Sequence, residues 1–218
     1  MTRLNRVLAK KTLLGPILIG ALLSVLGVTA NCQTGLEEIG EFRDNFRQPP
    51  GKVLAAAGVR PGMTVGEVGA GRGRYTVHLS AKVGPTGKVF AEDIDSGSLD
   101  HLRDRIARTG IANVEIILGE VADPRFPRAS LDMVFMILTY HHLDRPVALL
   151  KSLIPSLKSG ATIVVVDPDP EKDHREDDSE YTSRAKIERE AGEAGFEIVR
   201  QDTFLERDSI FILRLKGS

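Results

Sequence analysis

Three short runs carry the side chains whose types and spacing could do chemistry. The first is Glu67-Val68-Gly69-Ala70-Gly71-Arg72-Gly73. Glycines at alternate positions let a backbone approach a ligand closely, and a helix starting just after them offers free N–H groups. The second is Asp93, which lies 22 positions after Gly71. An acid ~20 residues beyond a glycine loop is placed to accept hydrogen bonds from both hydroxyls of a ribose. The third is Thr139-Tyr140-His141-His142. Neutral imidazole is the natural proton acceptor near neutral pH, so His141 and His142, with Tyr140 beside them, are candidate catalytic residues. The structural alternative is that the histidines shape a pocket wall or cap the following helix.

These runs need a scaffold that brings strand ends together, and the chain spells one. Thr64–Val68 reads as a short strand before the glycine loop, and Tyr75, Leu79 and Val83 mark a helix after it at i, i+4, i+8. KVFAEDID is a second strand that ends in acid. Leu99, Leu102 and Ile106 define a helix closed by Gly110, and NVEIIL is a third strand. LDMVFMILT is nearly all apolar, as a strand buried on both faces must be. Pro146 suits a first helical turn, with Leu149, Leu150, Leu153 and Leu157 lining a helix up to Gly160. ATIVVVD is the fifth strand, and a helix near 182–194 presents Ile187, Ala191 and Ala194. FEIVRQDTFL and SIFILRLK close the chain as an antiparallel pair joined at 206–208. Strands alternating with helices predict an α/β fold with a parallel sheet covered on both faces. In such sheets ligands bind outside the carboxyl ends of the strands, where all three runs fall.

A dinucleotide loop, G-x-G-x-x-G, would need glycine at the position held by Arg74; the third glycine is Gly73. The G-x-G-x-G spacing, with Glu67 two residues ahead, resembles the first motif of class I S-adenosylmethionine (SAM) methyltransferases. VFAEDID, ILGEVADP, SLDMVFMILTYHHL and LKSGATIVVVD resemble later motifs of that family in order, over about residues 40–217. The branch most similar is that of the ubiquinone/menaquinone C-methyltransferases and their small-molecule relatives. The resemblance implies a Rossmann-like three-layer α/β/α sandwich, with a seven-stranded, mostly parallel sheet and an antiparallel last strand. It implies SAM as cofactor, with Glu67, Gly69, Gly71 and Gly73 around its methionine and ribose. Asp93 would hold the ribose hydroxyls and Ile94 would pack on adenine. Glu120 or Asp123 would meet the adenine amine, with a Val121 N–H nearby. The Asn/Asp-Pro-Pro-Tyr motif tied to amino-methylation of nucleic-acid bases is not present, so the expected acceptor is small or lipid-like. The rival readings are a SAM-fold ligand-binding protein without catalysis and a dinucleotide-dependent oxidoreductase, the latter opposed by Arg74.

The rest of the chain bounds the setting. Of 218 residues, 42% are hydrophobic and 27% charged, which excludes a disordered or collagen-like chain. Arg3, Arg6, Lys10 and Lys11 precede any acid, and the remainder holds 25 basic against 30 acidic residues. That balance is wrong for a nucleic-acid partner. The single cysteine, Cys32, forms no internal disulfide and no cysteine-based metal site. After the basic start, Leu13 to Ala30 carry no charge, and Val28-Thr29-Ala30 fits a cleavage site. Residues 1–30 are therefore expected as a signal peptide or membrane anchor, with the protein periplasmic or tethered facing outward. Residues 31–60 are expected as a helical lid segment, Phe42–Gln48 folding over the pocket, and 61–218 as the methyltransferase domain. The acidic stretch 168–181, including His174 and Tyr181, reads as a solvated loop that could face an acceptor.

Overall fold

The computed structural model describes residues 40–173 and 181–217. Helix α1 covers residues 40–47. In chain order there follow α2 (Pro50–Ala57), β1 (Thr64–Val68), α3 (Thr76–Val83), β2 (Lys88–Asp93), α4 (Ser96–Thr109), β3 (Val114–Leu118) and β4 (Leu131–Ile137). A 3-10 turn at Tyr140–His142 leads into α5 (Pro146–Leu153), β5 (Leu157–Pro168), α6 (Arg184–Glu193), β6 (Phe196–Asp202) and β7 (Asp208–Leu215). The seven strands form one sheet in the order β3-β2-β1-β4-β5-β7-β6. The pairs among β1 to β5 are parallel, whereas β7 runs antiparallel to both β5 and β6. This is the parallel sheet the alternating pattern predicts, in the Rossmann-like α/β/α arrangement the resemblance implies.

The side-chain period of two sends successive residues of each central strand into opposite layers. Val134 and Met136 of β4, Ile163 and Val165 of β5, and Phe211 and Leu213 of β7 pack with Leu149, Leu150 and Leu153 of α5 and Ile187 and Ala191 of α6. Their neighbours Met133, Phe135, Val164, Val166, Ile210 and Ile212 pack with Val53 and Leu54 of α2 and Leu79 and Val83 of α3. Leu131 shares the layer of Val134, not that of Met133, at the point where pairing with β5 is irregular: Leu131 pairs with Leu157 but Met133 with Thr162. Leu99 and Leu102 of α4 cover Ala91 at the β2 end.

Contacts divide the chain into two units, 1–43 and 44–218. Residues 44–60 thus belong with the sheet. Within that unit Arg47 donates to both carboxylate oxygens of buried Asp208, at 2.8 and 2.6 Å. Arg74 donates to Asn45 Oδ1 and Gln48 Oε1, at 3.2 and 2.9 Å.

Three expectations change. The helix that starts at Pro146 ends at Leu153, since a 3-10 turn at Ile154–Ser156 contains Pro155; Leu157 and Gly160 lie in β5. The last connection is longer, from 203 to 207, and Leu205 turns into the core. Lys172 Nζ holds it by donating to the carbonyls of Thr203, Leu205 and Asp208. Membrane association is the third: no helix among the described residues is long and apolar enough to cross a membrane. Residues 1–30, on which that expectation rested, lie outside the described residues, as do Cys32 and His174.

Candidate active site

The parallel strands deliver their carboxyl ends to one edge of the sheet, and a cleft of about 270 Å³ opens there. Val68 and Gly69 from β1, Glu92, Asp93 and Ile94 from β2, and Glu120 and Val121 beyond β3 form one side. Leu138, Thr139, His142, Leu143 and Asp144, beyond β4, form the other.

The glycine loop turns under this cleft. Gly69, Gly71 and Gly73 have φ of +72°, +54° and +85°, a region that L side chains rarely occupy. Gly69 is further constrained by space, since a Cβ there would overlap the Thr139 side chain. The loop N–H groups are used at once: Gly71 N–H donates to Asp93 Oδ2 at 2.7 Å, and Ala70 N–H to the Glu92 carbonyl at 2.8 Å. The other Asp93 oxygen accepts from the Asp95 N–H at 2.9 Å. The carboxylate of Asp93 is therefore fixed at the cleft edge by two backbone donors.

Glu67 lies beneath the loop, 3% exposed, and accepts a hydrogen bond from Thr76 Oγ1 at 2.6 Å. Burial pushes its carboxyl up to about 7, offset by the Thr76 hydroxyl and by Arg74. Thus Glu67 supports the loop and does not line the cleft. Glu92 does line it, although only 2% of the residue is exposed. Burial, with Asp93 next in sequence, pushes its carboxyl up to about 8, while the Gly69 N–H bonded to it pulls the other way. A Cβ on Gly119, just beyond β3, would overlap the Glu92 carboxyl, so the glycine leaves the room that this side chain occupies. The sequence reading missed Glu92; its signal is a second acid, directly after the apolar run Val89-Phe90-Ala91 and before Asp93.

After β3, Glu120 and Asp123 bond to each other through their backbones, each N–H donating to the other's carbonyl. Glu120 pairs with Arg125 and still borders the cleft. Asp123 instead accepts the Arg125 N–H at 2.8 Å and is not among the cleft residues. Of the two, Glu120 is the one placed to meet a ligand. Ile94 and Val121, 58% and 43% exposed, leave apolar surface in the cleft beside Asp93 and Glu120.

The run after β4 separates sharply. Leu138 adopts φ +54°, a rare conformation for a branched side chain, with its N–H held by the Val166 carbonyl at 2.9 Å. The 3-10 turn then gives three successive side chains different surroundings, although the two histidine rings stay in contact. Tyr140 is fully buried and donates to Glu190 Oε2 at 3.0 Å, so its candidacy as a catalytic group is corrected. Its phenol is held above its ordinary pKa by burial and then by Glu190. His141 is also withdrawn, its side chain 7% exposed against Asp167. His142 alone of the three lines the cleft.

The residues fit SAM. A carboxylate fixed by backbone donors flanks exposed apolar side chains suited to a ribose and a flat base. Among the described residues the cleft lining holds Asp93, Glu120 and Asp144, beside the raised carboxyl of Glu92, and no lysine or arginine, which suits a cationic ligand.

The fold and the cleft are suited to binding SAM, and residues 65–160 match a family model described as "Methyltransferase domain". Over about half of its length the chain is similar to ubiquinone/menaquinone C-methyltransferases. It is 31% identical over 115 residues to "Ubiquinone/menaquinone biosynthesis C-methyltransferase UbiE" of Ectopseudomonas mendocina (strain ymp), covering 52% of this chain and 45% of that protein. The protein of the same name from Laribacter hongkongensis (strain HLHK9) is 30% identical over 114 residues, covering 52% and 46%. The chain thus spans about half the length of these curated relatives. Among solved structures, a SAM-dependent methyltransferase from Aquifex aeolicus is similar over 75% of this chain and 88% of its own, with TM-score 0.70 and 29% identity.

Proposed function

We propose that this protein transfers a methyl group from SAM to a small or lipid-like acceptor by in-line displacement. The observation that carries the reading is the division of the cleft. Asp93, Ile94, Glu120 and Val121 occupy the side suited to an adenosine, and Leu138, Thr139, His142 and Leu143 the side left for an acceptor. SAM supplies an already activated methyl group. The chain's own work is then to bind, align and exclude water, and alignment alone is worth ~7–11 kcal/mol of barrier. His142 is the group placed to take a proton from the acceptor. A panel of thiol, phenol and quinol acceptors, scored by release of S-adenosylhomocysteine, tests the reading. Binding of SAM without turnover on every acceptor would favour a ligand-binding protein instead.

Substitution His142→Gln is expected to lower the methyl-transfer rate by ~10²–10⁴-fold, the usual worth of a positioned base. Affinity for S-adenosylhomocysteine should stay nearly unchanged. An unchanged rate would leave alignment, with no protein base, as the account of the chemistry.

Export is a separate proposal that rests on the order of basic run, apolar run and Val28-Thr29-Ala30. Protein recovered from the cell envelope should begin at Asn31 on N-terminal sequencing. Intact Met1 on the soluble cytoplasmic protein would overturn it.

A further inference from the structure

Asp167 lies one residue before the end of β5 and is fully buried. Its Oδ2 accepts from the His141 backbone N–H at 2.8 Å and from Thr182 Oγ1 at 2.6 Å. Its Oδ1 lies 3.2 Å from His141 Nδ1, and neither atom makes a hydrogen bond among the described residues. A carboxylate taken out of water must have its oxygens satisfied. With a proton on His141 Nδ1, a small turn of the ring satisfies both atoms at once; a lone pair there would face the carboxylate and repel it. The juxtaposition therefore favours Nδ1 as the protonated nitrogen of neutral His141. The consequence reaches the cleft, because the His141 and His142 rings meet with centroids 3.9 Å apart and His142 lines the cleft.

We propose that Asp167 is a positioning residue that holds His141 as the Nδ1–H tautomer and thereby sets the His141–His142 ring pair against the methyl-transfer cleft. Thr182 completes the support from the segment before α6, and the residues that meet here are far apart in the chain. The role assigned to the ring pair rests on the methyltransferase reading, whereas the tautomer follows from the carboxylate alone.

The test is proton–nitrogen correlation of the imidazoles in the full-length chain, labelled at its five histidines. It is read on the high-pH plateau, where the imidazole nitrogen signals no longer change with pH. His141→Gln and His142→Gln assign the two signals. The native protein should show His141 protonated at Nδ1. In Asp167→Asn the amide keeps one acceptor oxygen, claimed by the His141 N–H and the Thr182 hydroxyl, and turns an N–H toward Nδ1. His141 should then switch to the Nε2–H tautomer, and the His142 ring signals should move with it. Thr182→Val, which leaves Oδ1 untouched, should keep Nδ1–H. An Nε2–H tautomer in the native protein, or no switch in folded Asp167→Asn, overturns the proposal, as do unmoved His142 signals. If Asp167→Asn does not fold, the native and Thr182→Val spectra decide on their own. Titration with S-adenosylhomocysteine on the same native sample is read separately: failure to bind would count against the methyltransferase reading and leave the tautomer result standing.

Discussion

Replacing Asp93 with alanine is expected to weaken SAM binding by ~10²–10⁴-fold, the loss of two charge-assisted hydrogen bonds worth ~1.5–3 kcal/mol each. The reasoning starts from the fixed carboxylate. Gly71 and Asp95 N–H groups hold one oxygen each, at 2.7 and 2.9 Å. Each oxygen keeps a second lone pair for a ribose hydroxyl. The alanine variant also strips the glycine loop of its acceptor, so part of the loss would come from a loosened loop. Asp93→Asn separates the two: it retains an acceptor for Gly71 but no charge, and should fall between the native protein and Asp93→Ala. Isothermal calorimetry with S-adenosylhomocysteine measures all three. Unchanged affinity in folded Asp93→Ala would remove this residue from the site.

The second large effect is on stability, at Glu92. Its carboxyl is raised from 4.5 to about 8 in the folded protein, first by burial and then by Asp93. Below pH 4.5 both folded and unfolded states hold the proton, and the neutral buried acid costs the fold nothing in charge. Above it the unfolded chain releases the proton while the native state keeps it. The native state then binds more protons, so stability falls as pH rises, by ~1.4 kcal/mol per unit for one group, until about pH 8. Glu67 adds the same sense of slope up to about pH 7. Urea midpoints at pH 5, 6, 7 and 8 should therefore decline for the native protein (on the scale of those values). Glu92→Gln, uncharged throughout, should decline less steeply over that window. An identical slope in both proteins would mean that Glu92 is ionised inside the fold, held by donors such as the Gly69 N–H.

Much of the scaffold is written in local pattern. The apolar run of β4, the alternation of strands with helices and the closing pair each name an element without reference to any other part of the chain. Pro146 and Gly110 mark a start and a stop for the same reason: backbone restrictions at proline and glycine act within a turn. Even the ribose-binding candidate was legible, because a strand–loop–helix–strand unit has a nearly fixed length, which puts Asp93 opposite Gly71 whatever the rest of the chain does.

Orientation was not legible. Tyr140, His141 and His142 are adjacent in sequence, yet a tight 3-10 turn sends one to Glu190, one to Asp167 and one to the cleft. Glu92 and Asp93 are adjacent acids at a strand end, where one is nearly out of water and the other is held at the edge by backbone donors. The choice between Glu120 and Asp123 depends on Arg125, which pairs with one side chain and offers its backbone N–H to the other. The amino-acid sequence by itself determined the sheet, the glycine loop and the acid facing it, since periodicity and spacing are local quantities. Only the tertiary structure decided which histidine meets the cleft and which acids lose their charge, since both depend on the distance and desolvation imposed by residues far away in the chain, such as Asp167 beside His141 and Gly119 against Glu92.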